Sequence, residues 1–277
     1  MSTSSNTSRS SSAVKLPLQR TESRHRQNFL TVSQRLLDPK VKENELLQLV
    51  TDIRERIEIV HSSEYRNFLQ FYMPAFEHIL TTRVPPQFHV NHLNKLRHNV
   101  LEILNRLPSN DYLTQYIDKL ILLVMHIMEV DNEENALICV RILFALHKNF
   151  RPKLKKYVPR FLTFVQKLYK NLENTKNFIF PIQNHKNAAV AIASTPMHNT
   201  AASTTTPTIL LKSTNSFKVL TECPLIVMLL FQLYADYVAK YVEIFIPLMT
   251  SGLKLLPPPI SIHIQNSTKL LEEFQTR

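Results

Sequence analysis

Glycine is almost missing from this chain: Gly252 is its single glycine in 277 residues, where average usage would supply roughly nineteen. The sequence therefore contains neither a glycine-rich phosphate loop nor the G-x-G-x-x-G dinucleotide fingerprint, because each needs more than one glycine. Hairpin-rich β folds also lose their usual turn residue. Helices joined by turns of proline, serine, asparagine and aspartate need a positive φ only at their C-terminal ends, so the composition predicts an all-α protein.

Charge and cysteine content narrow the class of protein further. Lysine and arginine number 33 against 22 aspartates and glutamates, a formal net charge of +11 that attracts acidic proteins, nucleic acids and anionic membranes alike. Cys139 and Cys223 both lie in apolar runs, which favours buried thiols in a reducing compartment over a disulfide. The longest uncharged apolar stretch, residues 224–231, is far shorter than the roughly 20 residues that a bilayer requires. We expect no membrane contact.

Apolar residues recur at alternating steps of three and four, which is the spacing of one helical stripe. We predict six helices between residues 38 and 172, a helix that begins at Ser216, and another over residues 238–256. The stripes are Leu46, Val50, Ile53, Ile57 and Val60; Leu93, Leu96, Val100, Ile103 and Leu107; Leu113, Ile117, Leu120, Val124 and Ile127; Leu154, Val158, Phe161, Val165 and Leu168; and Phe217, Leu220, Pro224, Val227, Phe231 and Tyr234.

A five-residue pattern recurs in every second helix: an aromatic residue, an apolar residue, any two residues, and a second apolar residue. We call this pattern the word. Its copies begin at Tyr72, Tyr116, Tyr157 and Phe245, and the first three are 44 and 41 residues apart. Periods of about 40 to 47 residues with two helices each are typical of HEAT and armadillo repeats. We therefore predict a HEAT/armadillo-like α-solenoid of about four helical hairpins, with helices kinked at the prolines inside three of the words.

The chain divides by composition into five segments. Residues 1–37 are a Ser/Arg-rich tail predicted to be disordered, and Asp38 is predicted to cap the first helix of repeats 1–3, which span residues 38–172. Residues 173–213 form a predicted disordered insertion, residues 214–256 form repeat 4, and residues 257–277 form a proline-led tail. The last predicted helix is apolar, so we expect the solenoid to belong to a longer protein.

The strongest local charge lies between residues 151 and 170, where seven basic residues occur without one acid. On a single helix, five of them lie roughly opposite the apolar stripe and form what we call the basic ridge: Lys153, Lys156, Arg160, Lys167 and Lys170. Such a ridge is commonly a solvated face, and its functional interpretation is a contact with an acidic partner or with phosphate. Base-reading groups and outward-facing aromatic residues are not evident, so nucleic acid is the weaker candidate partner.

Catalytic and metal chemistry find little support. His89, His92 and His98 lie within ten residues, but their spacing matches no pattern of metal ligands, so we predict a histidine-rich turn and no metal. The acids Asp131, Glu133 and Glu134 stand where a helix begins, where negative charge favours the helix dipole. No nucleophile motif is present, and we predict neither an enzyme nor a cofactor.

Two long runs of the sequence resemble the N-terminal HEAT-repeat region of the TRRAP family of transcription coactivator scaffolds. They are NEENALICVRILFALHKNFRP at residues 132–152 and SFKVLTECPLIVMLLFQLY at residues 216–234. Shorter runs add to the likeness: Ser63-Glu64-Tyr65 with Phe68-Leu69, KLRHNVLEILNRLP at residues 95–108, and FIPLM at residues 245–249. The resemblance covers roughly residues 40–256.

This resemblance implies a non-enzymatic α-solenoid segment in the nucleus, within SAGA- or NuA4-type histone acetyltransferase complexes. The implied partners are acidic transcriptional activators and other coactivator-complex subunits. The FAT and kinase-like regions of that family have no counterpart in the matching residues. Two other interpretations stay open: a stand-alone basic helical-repeat protein that binds nucleic acid, and an organellar helical protein led by a transit peptide.

Overall fold

The computed structural model describes residues 17–172 and 216–253, and these residues form helices and turns without a β-strand. The helices are α1 (Pro17–Leu37), α2 (Glu43–Glu55), α3 (Tyr65–His78), α4 (His92–Asn105), α5 (Ile117–Val130), α6 (Glu133–Asn149), α7 (Arg151–Leu154), α8 (Val158–Lys170), α9 (Phe217–Leu233), α10 (Ala235–Val238) and α11 (Val242–Leu253). The six long helices predicted between residues 38 and 172 are present, and so are the two after Ser216. The predicted insertion at 173–213 and the tail at 257–277 lie outside the described residues.

The long helices form a stack in which α2, α4, α6 and α9 pack side by side in chain order. The other long helices pack against this row or against one another: α3 on α1, α5 on α6, and α8 on both α9 and α11. The apolar stripes face inward, and Leu46, Val100, Val124 and Val165 have no solvent exposure. The prediction of an all-α solenoid of about four hairpins is confirmed. Each pair buries its apolar faces against its neighbours, which is how helical repeats share one core.

The N-terminal segment differs from the prediction of a disordered tail over residues 1–37. Residues 17–37 form α1, which packs on α3 and α2. The ring of Phe29 meets Tyr72 edge-on at 5.5 Å between centroids, and Ser33 donates a 2.7 Å hydrogen bond from its hydroxyl to the carbonyl of Phe71. Phe29, Ser33 and Leu36 are buried at steps of four and three, so α1 has the same narrow inward stripe as the other helices.

Helix α2 begins later than the sequence predicts, because residues 38–42 form a turn after α1. Asp38 does not cap α2, which begins at Glu43; its side chain accepts a 2.9 Å hydrogen bond from the amide of Lys40 within the turn. Arg83, from the π-helical turn after α3, donates hydrogen bonds to the carbonyls of Asp38 at 2.6 Å and Val41 at 2.5 Å. Arg83 therefore ties the turn between α1 and α2 to the end of α3.

A buried polar network fixes the turn between α5 and α6. Arg97 donates to Asp131 and to the carbonyls of Leu80 and Val84. Asn132 caps α6 by accepting a 3.0 Å bond from the amide of Asn135. Negative residues do occupy this helix start, as the sequence indicates, but the cap itself is an asparagine and Asp131 neutralises a buried guanidinium.

No single helix among the described residues is long and apolar enough to cross a membrane. One pair of successive helical stretches, Lys218–Leu233 and Ala235–Gly252, meets that test of length and composition together, and it is bent by 116° at the break between them.

Candidate interaction surface

The basic ridge spans two helices and the short turn that joins them, rather than one continuous helix. Helix α7 ends at Leu154, a 3₁₀ turn covers Lys155–Tyr157, and α8 begins at Val158. Pro152 and Pro159 each occupy the first turn of their helix, where the missing N–H group has no helical partner to lose. The prediction of a kink within a helix at Pro159 is therefore wrong, because the bend precedes α8.

All five ridge residues are exposed, and the stripe opposite them is buried. Lys153 and Lys156 stand on residues 151–157, which comprise α7 with its 3₁₀ turn and are called the α7 turn below; Arg160, Lys167 and Lys170 stand on α8. The structure thus places the predicted site residues along one surface, but it splits them into a turn group and a helix group.

Two of the five ridge cations are already paired with acids of α5. The ammonium group of Lys156 lies 2.8 Å from Oδ1 of Asp118, and the guanidinium of Arg160 lies 3.4 Å from Oε2 of Glu129. The hydrogen bond from Lys156 is the main reason that the pKa of Asp118 is lowered. Both pairs are exposed, and exposed pairs contribute little to stability. They do reduce the charge that this part of the ridge presents.

The remaining ridge cations are Lys153, Lys167 and Lys170. Within the described residues no ion pair engages them. The free positive charge of the ridge is therefore concentrated at its two ends, Lys153 on the turn and Lys167 with Lys170 near the end of α8.

A second group of cations, not included in the predicted site, lies beside the turn end of the ridge. Lys155 stands 5.0 Å from the ring centroid of Tyr237, and Lys240 stands 5.6 Å from the same centroid. The guanidinium of Arg151 lies 5.9 Å from the ring centroid of Tyr234. The contacts of Lys155 and Arg151 join the α7 turn to residues 234–241, which comprise Tyr234, α10 and its 3₁₀ turn and are called the α10 turn below, through cation–π attraction.

A cleft of about 400 Å³ opens between these two turns, and we call it the turn cleft. Its lining residues are Arg151, Pro152, Lys155, Gln232, Leu233, Tyr234, Ala235, Asp236 and Tyr237. The wall at Tyr234 is rigid, because its hydroxyl donates a 2.9 Å hydrogen bond to the carbonyl of Arg151 and meets Nδ1 of His147 at 3.1 Å.

A recurring tripeptide could have revealed this cleft from the sequence. Lys-Tyr-Val occurs at residues 156–158 and again at residues 240–242, and each copy follows a four-residue helix and spans the step into a long helix. Tyr157 therefore corresponds to Tyr241, and Phe161 to Phe245. The predicted alignment of Tyr157 with Phe245 is wrong by one helical turn, because it matched the aromatic residue without the turn that precedes it.

Within residues 17–172 and 216–253, no three histidine, cysteine, aspartate or glutamate side chains lie close enough together to hold a metal ion. The thiols of Cys139 and Cys223 are buried and unpaired with each other, and burial raises the pKa of both; that of Cys223 rises to about 12.

Comparison with known proteins gives one consistent result. No family model matches the chain. It is 34% identical over 83% of its length to the probable transcription-associated protein 1 of Dictyostelium discoideum, and 32% identical over 83% to transcription-associated protein 1 of Drosophila melanogaster. It is 30% identical over 80% to the SAGA complex/NuA4 acetyltransferase complex subunit Tra1 of Schizosaccharomyces pombe.

In each of these comparisons the chain spans 6% of the relative's length. The transformation/transcription domain-associated protein of Homo sapiens is also 30% identical, over 79% of the chain. Since similarity at this level runs through most of the helical stack, the chain belongs to the TRRAP/Tra1 family of transcription-associated proteins.

Proposed function

We propose that this chain is a non-enzymatic scaffold segment of a nuclear transcription coactivator, of the kind found in SAGA- and NuA4-type acetyltransferase complexes, and that its basic ridge binds acidic segments of transcriptional activators. The main support for this proposal is the similarity to a transcription-associated protein over 83% of the chain. One of these relatives is named as a subunit of SAGA and NuA4.

The surface chemistry supports a protein partner of negative charge. Lys153, Lys167 and Lys170 are exposed cations that no acid neutralises in the described part of the chain. An acidic peptide approaches such a surface faster at low salt, because long-range attraction steers the encounter and salt screens it. The pairs at Asp118 and Glu129 give way to stronger acidic partners at small cost, since each is solvent-exposed.

The test is a fourfold charge reversal of the ridge, Lys153→Glu, Lys156→Glu, Arg160→Glu and Lys167→Glu, in the 277-residue chain. Association with a labelled acidic activation peptide is measured by fluorescence anisotropy at two ionic strengths. We expect at least about a tenfold loss of affinity at the lower salt and a smaller loss at the higher salt. Equal affinities of the variant and the parent chain at both salts reject the ridge as the docking surface.

A further inference from the structure

The turn cleft brings exposed cations together at a concave surface. Arg151, Lys155 and Lys240 are exposed, and within the described ranges no carboxylate forms an ion pair with any of them. Asp236 is the acid that lines the cleft. By contrast, Lys156 and Arg160 of the ridge already have acidic partners.

Aromatic contacts position Lys155, which lines the cleft, and Lys240, which lies beside it. Lys155 and Lys240 both lie over the ring of Tyr237, and Lys240 lies 5.2 Å from the ring centroid of Tyr241 as well. Two ammonium groups near one ring repel each other, and a carboxylate that contacts either of them reduces that repulsion. A ligand therefore meets charges that are already positioned, which lowers the entropy lost on binding.

The ring contacts distinguish between the two classes of acidic macromolecule. Single-stranded nucleic acid binds by stacking its bases on open aromatic faces beside basic residues. Here Tyr157, Tyr237 and Tyr241 each have a lysine ammonium group over the ring, at 4.9 to 5.6 Å from the centroid. On the ring face that an ammonium group occupies, a base would have to displace that group, whereas a carboxylate contacts it directly.

We infer that the turn cleft is the docking site for an acidic peptide, whose carboxylates contact Arg151, Lys155 and Lys240 and whose chain continues toward Lys153 at the turn end of the basic ridge. This inference rests on the proposed function for its class of partner, and it moves the principal contact from the ridge on α8 to the junction of the α7 and α10 turns. The cleft of about 400 Å³ is large enough for side chains of a peptide to enter.

The probe is a fluorescein-labelled peptide of alternating glutamate and serine, and a glutamine–serine peptide serves as its uncharged control. Lys155→Gln with Lys240→Gln, which we call the cleft pair, removes one charge from the cleft lining and one beside it. Lys40→Gln with Lys42→Gln is the matched variant, because it removes two exposed lysines from the first repeat. Helical content by circular dichroism verifies that both chains are folded.

We expect the cleft pair to raise the Kd for the glutamate peptide about tenfold at low salt and the matched pair to change it less than about twofold. Tyr237→Leu alters no charge, and we expect about a threefold rise in Kd because the two ammonium groups lose their common ring. Equal effects of the two lysine pairs overturn the inference, since they indicate only the general field of the protein. A Tyr237→Leu chain with the parent affinity also contradicts it.

Two further outcomes separate this inference from the proposed function. If the fourfold ridge reversal weakens binding and the cleft pair does not, the docking site is on the ridge; the inference then fails and the proposed function stands. If the parent chain binds labelled oligothymidine and not the glutamate peptide, both fail, because the surface then serves nucleic acid.

Discussion

Arg97 and Asp131 form an ion pair inside the stack: Nε of Arg97 lies 2.7 Å from Oδ2 of Asp131, and neither side chain has solvent exposure. The pair joins α4 to the turn that begins α6. Breaking a buried pair from one side leaves an uncompensated charge, which costs far more than the pair contributes as a whole.

We expect Arg97→Met to lower the free energy of unfolding by about 3–5 kcal/mol, because Asp131 is then buried without its cation. Urea denaturation followed by circular dichroism measures this loss. Arg106→Met, at the C-terminal cap of the same helix, is the control; its 3.8 Å pair with Glu102 is only partly buried, and we expect a change below about 1 kcal/mol. Similar losses in the two variants would contradict the assignment of Arg97 to the core.

Asn132 is expected to stabilise the chain more than an ordinary helix cap does. It caps α6, and its Nδ2 also donates to the carbonyl of Gln87 at 3.0 Å and to Oδ1 of Asn94 at 3.2 Å. Asn132→Ala should therefore destabilise by about 2 kcal/mol or more, since it removes the cap and leaves buried acceptors unpaired.

Asn91→Ala provides the comparison for that prediction, because Asn91 caps α4 from an exposed position. We expect a loss of about 1 kcal/mol there. Chemical denaturation of the two variants in the same buffer gives the difference, and a larger loss at Asn91 than at Asn132 would reverse the expected order.

His147 is expected to make the fold sensitive to mild acid. Burial lowers its pKa from 6.5 to about 4. Since the Tyr234 hydroxyl donates to the carbonyl of Arg151, Nδ1 of His147 carries the proton in the 3.1 Å contact with that oxygen. Nε2 is buried without a hydrogen-bond partner, so a second proton there has no acceptor.

The sign of the pH effect follows from this lowered pKa. Below pH 6.5 the unfolded chain takes up a proton at residue 147 that the folded chain excludes until about pH 4. The free energy of unfolding is therefore highest above pH 6.5. It decreases as the pH falls from 6.5 to about 4, by up to about 1.4 kcal/mol per pH unit. Unfolding curves of the parent chain and of His147→Gln isolate the effect, because the shared carboxylates cancel in the difference. Parallel pH profiles would contradict the prediction.

Helix α1 is expected to be part of the folded stack. Phe29 is 5% exposed and packs against Tyr72, so Phe29→Ala should cost about 3 kcal/mol by leaving a cavity between α1 and α3. Hydrogen exchange within α1 measures the loss locally. Leu37→Ala, at a side chain that is 39% exposed, should leave the exchange rates nearly unchanged. Equal, unprotected exchange of α1 in all chains would instead indicate a detached segment.

The sequence predicts the stack well where apolar periodicity is strong. Leu154, Val158, Phe161 and Val165 are all buried, and Ser216 begins α9 by accepting a bond from the amide of Val219. Spacing alone suffices there because one helical face must leave water.

Features set by contacts between distant residues were not predictable in this way. Apolar periodicity does not predict α1, because the helix is rich in polar residues and even its buried stripe includes Ser33. The hydroxyl of Ser33 is satisfied by the carbonyl of Phe71, which is distant in the sequence. The turn cleft depends on Lys155 and Tyr237 meeting across two repeats. The partners of Lys156 and Arg160 come from α5, so the extent to which the ridge is neutralised requires the packing of whole helices.

The most direct test of the scaffold assignment is to purify the epitope-tagged chain from its own cells at moderate salt and to measure histone acetyltransferase activity in the eluate. Membership of the TRRAP/Tra1 family, with relatives named as acetyltransferase-complex subunits, predicts that acetylation of added histones elutes with the chain and exceeds that of an untagged control. A chain that is recovered in quantity with activity no greater than the control would contradict the account.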